Sequence, residues 1–91
     1  MYPVVTSVEV IPPYGLRLTF DDNTSGDIDC RPWLFEREDG LFAELRDPTL
    51  FAMVWVDHDA DTVVWPNGAD VAPETLYEEA HRGPTVRRLG G

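Results

Sequence analysis

The run Thr62-Val63-Val64-Trp65-Pro66-Asn67-Gly68-Ala69-Asp70-Val71-Ala72-Pro73-Glu74-Thr75-Leu76-Tyr77 constrains the fold more than any other part of this chain. Its β-branched start reads as a strand. Asn67 and Gly68 tolerate left-handed backbone and turn the chain. Pro73 suits a first helical position, where a missing N–H costs nothing. Leu76, Tyr77 and Ala80 then supply the buried stripe of a helix. Strand, tight turn and helix start thus follow one another, and no catalytic constellation lies among them. Asp70 is placed to accept backbone N–H bonds around the turn, which makes Asn67, Gly68, Asp70 and Pro73 a structural set.

Upstream, β-formers run from Val4 to Ile11 until Pro12 and Pro13 stop the ladder. Tyr14, Leu16, Leu18 and Phe20 alternate with Gly15, Arg17, Thr19 and Asp21, the period of a strand with one wet face. Asp22 and Asn23 suit a hairpin turn. A third strand follows through Ile28 and Cys30, with Asp27 and Asp29 facing water. These three segments form a meander. Pro32, Trp33, Leu34 and Phe35 read as an apolar connection over a sheet edge. Asp39 and Gly40 lead into a short helix carrying Leu41, Phe42 and Leu45, ended by Asp47 and Pro48. The continuously apolar stretch 50–56 reads as a central strand covered on both faces. Residues 57–61 form a polar loop, and 62–65 pair back. The expected fold is α+β: a mostly antiparallel five-stranded sheet built from a three-strand meander, a short helix, a two-strand hairpin and a C-terminal helix. Residues 1–82 make one domain, and 83–91 a flexible C-terminal tail.

Ninety-one residues suffice for a single modest core. The 43% hydrophobic content supports one despite a net charge of −10. Lysine is absent, and Arg82, Arg87 and Arg88 crowd the end, so the body is more acidic than the whole. Such a surface disfavours phosphate backbones and anionic membranes, and the expectation is no direct nucleic-acid contact and no membrane. It favours either plain solubility or a small basic protein partner. A lone Cys30 excludes an internal disulfide and points to the cytoplasm. The start of the chain lacks a signal-peptide pattern, and no apolar run is long enough to span a bilayer.

The run 57–61, with Asp57, His58, Asp59 and Asp61, imitates the opening of a calcium loop. Thr62 replaces the required glycine and Gly68 falls where a bidentate Glu belongs, so no metal and no cofactor are expected. Cys30 has no histidine placed to take its proton. Asp27, Asp29, Glu36, Glu38 and Asp39 lie on wet faces rather than in a cleft, and no catalytic set emerges. Trp33 and Trp65, with Phe35, are candidates for an exposed partner-binding patch beside Asp27 and Asp29. The ending Leu89-Gly90-Gly91 offers an alternative: a ubiquitin-like or sulfur-carrier protein activated at Gly91.

Leu16, Leu18, Phe20 and Asp21, then Asp47 and Phe51, then Trp65, Pro66, Asn67, Gly68, Asp70, Pro73, Leu76 and Tyr77 together resemble the pattern of the bacterial DUF2442 family, a domain of unknown function. The likeness extends to about Ala80. Asn23 stands where the pattern has a hairpin glycine, and Ala72 where a capping residue is usual. The resemblance implies an α+β fold and a non-enzymatic protein-binding or regulatory module, either antitoxin-like or associated with a transcription regulator. Longer members look joined to a helix-turn-helix. That segment is not expected here, so DNA binding is not carried over. Self-association through a sheet edge is a further expectation, because unpaired strands gain by pairing.

Overall fold

The computed structural model describes residues 3–36 and 39–82, together with the backbone of 87–88. Its centre is the alternating strand. In β2 (Gly15–Phe20), Leu16, Leu18 and Phe20 are buried while Arg17 is exposed. β1 (Val5–Ile11) and β3 (Thr24–Asp29) flank it antiparallel, with Val8 opposite Leu18 and Leu16 opposite Ile28. The β2–β3 turn places Asn23 at φ 67°, a left-handed conformation that asparagine tolerates in place of glycine. The Asp22 carboxylate accepts the Thr24 N–H at 3.0 Å and closes that turn.

The expectation of one five-stranded sheet is corrected, since the strands form two sheets. The first has the order β1-β2-β3-β6, in which β6 (Arg87–Arg88) lies antiparallel to Thr24 and Ser25. The second is a separate hairpin of β4 (Trp55–Asp57) and β5 (Thr62–Val64). At their junction the Val5 N–H donates to the Asp61 carbonyl at 3.1 Å. β1 thus meets the hairpin at its turn rather than along a ladder. Except for 87–88, the expected tail at 83–91 lies outside the described residues.

Three short helices stand where the sequence suggests one. α1 (Arg31–Phe35) replaces the irregular apolar connection. α2 (Leu41–Glu44) follows Gly40, whose φ of 98° explains the glycine. α3 (Pro48–Phe51) occupies the first part of the expected central strand. Asp47 caps it by accepting the Thr49 N–H at 3.0 Å, and Pro48 opens its first turn. Those two local signals outweigh the apolar run. The remaining strand, β4, is not covered on both faces, because Trp55 is 46% exposed.

α4 (Pro73–Arg82) lies across the meander and buries Pro73, Leu76 and Ala80. The core between helices and sheet contains Val5, Leu16, Leu18, Phe20, Leu34, Leu45, Phe51, Val63 and Trp65.

Candidate functional site

Cys30 is buried at the end of the meander, and burial pushes its thiol up to about 12. It stays protonated at neutral pH and is a poor nucleophile. Asp22 receives the Thr24 hydroxyl at 2.5 Å and the Tyr77 hydroxyl at 2.5 Å, and these bonds lower its carboxyl to about 2. His81 stacks on Tyr77 with ring centroids 3.9 Å apart. Its Nδ1 lies 2.7 Å from the Tyr77 carbonyl, and its Nε2 lies 2.9 Å from the Thr24 hydroxyl. Since a carbonyl only accepts, Nδ1 carries the hydrogen there. This network joins α4 to the β2–β3 turn. Thr24 is buried at 8% exposure while Asp22 is exposed, and the cluster fastens the two elements from the turn inward.

The aspartates of 57–61 make an Asx turn. Asp57 Oδ1 accepts the Asp59 N–H at 2.9 Å, and Asp61 takes φ 59°. Among the described residues no three His, Cys, Asp or Glu side chains gather closely enough to hold a metal ion.

The residues expected to form one partner surface are dispersed. Trp65 is corrected to the core. It is 2% exposed, its indole N–H donates to the Phe51 carbonyl at 2.9 Å, and its ring packs on Phe51 and Phe42. A strand end next to a turn reads as exposed in sequence, but here α2 and α3 cover it. Asp27 and Asp29 do sit on the outer side of β3. Asp27 binds Arg17 through two bonds of 2.9 and 3.2 Å. Asp29 binds Arg31, whose side chain first and backbone second hold its carboxyl below the usual range. Phe35 is 54% exposed, rests edge-on to Tyr14 and lies under the Arg46 guanidinium at 5.0 Å.

Trp33 goes elsewhere. It lines a groove of about 450 Å³ between α1, α2 and the start of α4. Leu41, Phe42 and Val71 continue its apolar wall, and Glu36, Asp39 and Asp70 bring carboxylates to it. Asn67 ties two sides of this groove. Its Nδ2 donates to the Leu41 carbonyl at 3.0 Å and to Glu44 Oε1 at 2.8 Å, while its Oδ1 accepts the Ala69 N–H at 3.0 Å. The turn is therefore held by Asn67 and by the Trp65–Ala69 and Gly68–Trp65 backbone bonds. Asp70, expected to bond the turn through its carboxylate, pairs with Val64 through its backbone and lines the groove. Neither Asp27 nor Asp29 reaches it. Sequence reasoning missed the groove because its walls come from three separated segments. Among the residues that form it, only Trp33 carried a sequence signal of its own as a contact residue.

The family model described as "Protein of unknown function (DUF2442)" matches residues 5–82. The chain belongs to the DUF2442 family. No curated protein matches it. A solved structure from Nitrosomonas europaea ATCC 19718, named "Putative DNA Binding Protein", is similar at a TM-score of 0.76 and 27% identity. The likeness covers 90% of this chain and 51% of that one, so this DUF2442 chain spans about half the length of its structural relative. That relative overturns the expectation against nucleic acid. Net charge is a property of the whole surface, and a protein sharing this fold carries a DNA-binding name. As for membranes, no helix among the described residues is long and apolar enough to cross one.

Proposed function

We propose that this DUF2442 chain is a non-enzymatic regulatory domain that works by binding another protein, within a system that engages DNA. The observation that carries the reading is the relative from Nitrosomonas europaea, in which a domain of this fold accounts for about half of a protein named for DNA binding. The side chains support a binding role over a chemical one. Cys30 is buried with a raised pKa, and Asp22, Thr24, Tyr77 and His81 are consumed in fastening α4 to the meander. Apolar surface remains open meanwhile. Phe35 and Leu41, on α1 and α2, are 54% and 46% exposed. Leu41 also lines the groove, and exposed aromatic and aliphatic side chains are the usual anchors of a protein contact.

Chromatin immunoprecipitation of the tagged chain from its own host tests this. The expected result is recovery at discrete DNA loci, reduced in folded Phe35→Glu or Leu41→Glu variants. Uniform background recovery for the unsubstituted chain would sink the reading.

A further inference from the structure

The groove beside Trp33 has a composition that selects a ligand class. Its volume of about 450 Å³ falls within the range of small-molecule sites, roughly 300–1,000 Å³. The floor and walls are apolar, from Trp33, Leu41, Phe42 and Val71. Among the described residues, every charged residue that lines it carries a carboxylate: Glu36, Asp39 and Asp70. All three residues are exposed. Among the described residues, none of them is engaged in an ion pair.

We propose that this groove binds an amphiphilic organic cation, an ammonium or guanidinium group carried on an aromatic or branched aliphatic body. The apolar body buries against Trp33, Phe42 and Val71, where the gain follows the area removed from water. The cationic head meets the carboxylates at the rim, and the aromatic face of Trp33 adds attraction for it. Anionic ligands are repelled by the same three groups. The carboxylates do not converge as a metal site requires, which suits a bulky cation better than a small inorganic one. The groove is preformed rather than assembled on binding. Asn67 bonds α2 to the turn that leads into Asp70 and Val71, and this holds both walls in place before a ligand arrives. The site extends the regulatory reading by giving the domain an effector, but the binding itself is measurable whatever the domain regulates.

Tryptamine is the probe, followed by amide chemical shifts of the full chain. Indole-3-propionate serves as the anionic counterpart, and spermidine as a cation without an apolar body. The expected result is saturable shifts at Leu41, Ala43, Ala72 and Thr75 with tryptamine at about 1 mM, a weak-site concentration. Indole-3-propionate and spermidine should leave those amides nearly unmoved, and raising the salt should weaken tryptamine. Asp70→Asn should weaken it roughly fivefold. Glu36→Gln combined with Asp39→Asn, on the opposite side of the groove, should weaken it at least as much and keeps the test independent of any folding defect at Asp70. The absence of saturable shifts would overturn the proposal. So would equal shifts from indole-3-propionate, or unchanged affinity in both sets of folded variants.

Discussion

Gly26 of β3 and Ala80 of α4 touch so closely that a Cβ on Gly26 would lie 2.4 Å from the Ala80 carbonyl oxygen and 2.9 Å from the Ala80 Cβ. The helix rests directly on the strand's backbone at this point. Gly26 is needed here for space, because no positive φ demands it. Everything that α4 positions, from Tyr77 and His81 to the start of the helix at the groove, depends on this approach.

Gly26→Ala is therefore expected to destabilise the domain by about 1–3 kcal/mol, the usual range for overpacking, measured by urea denaturation. The clash is mainly with a backbone oxygen. Adding Ala80→Gly removes the Cβ contact but leaves that oxygen in place, so the double variant should not recover the loss. Full recovery would show that the helix shifts freely and that the close approach is not a constraint.

Trp33 and Trp65 read alike in sequence, and the structure separates them. Trp65→Phe removes the bond to the Phe51 carbonyl and leaves space among buried rings. The expected loss is about 2–4 kcal/mol, from an unmade hydrogen bond and a cavity together. Trp33→Phe, at a half-buried groove wall, should cost less than about 1 kcal/mol. Thermal melts of both variants decide this, and equal losses would place Trp33 in the core as well.

The meander was legible because Leu16, Leu18 and Phe20 repeat at the period of a strand with one buried face. The turn at Asn67 and Gly68 and the helix from Pro73 were legible because their residues carry local backbone preferences. α1 and α3 were not, since their five and four residues carry no apolar spacing that separates a helical turn from a loop or a strand. Asp47 followed by Pro48 held the missing signal for α3, a cap and a first-turn proline, but the apolar run after it pointed to a strand. Splitting the strands into two sheets was hidden for another reason. Pairing between β1 and the hairpin is a matter of tertiary placement, and Val5 meets Asp61 without any local pattern announcing it. The groove was hidden similarly: Trp33, Leu41 and Asp70 become neighbours only after folding.

Asp22 gives the fold a pH dependence at the acid end. Its carboxyl is held at about 2, first by the Thr24 hydroxyl and then by Tyr77, against an ordinary value of 3.8. A depressed carboxyl contributes stability that is present above the unfolded value and lost as pH falls through the folded one. The contribution should thus be full at neutral pH and fade between about 4 and 2. Tyr77→Phe removes one of the two hydroxyl bonds, so the Asp22 titration should move upward toward its ordinary value. Carboxyl-carbon NMR checks this directly. An unmoved midpoint would mean that Thr24 alone sets the shift.

Asn67 supports two structures at once, the turn through its Oδ1 and α2 through its Nδ2. Asn67→Asp separates these duties. The carboxylate still accepts the Ala69 N–H, but it cannot donate to the Leu41 carbonyl, and it faces the Glu44 carboxylate across the former 2.8 Å contact. The turn should survive while α2 loosens, with a stability loss of about 1–2 kcal/mol from like charges and an unmade bond. Hydrogen exchange should quicken at the α2-capping amides of Leu45 and Arg46, which bond Phe42 and Ala43, and stay slow at Trp65, whose N–H bonds Ala69. Equal acceleration at both places would mean that the turn itself had failed, and that Asn67 holds the groove by way of the turn rather than by its reach to α2.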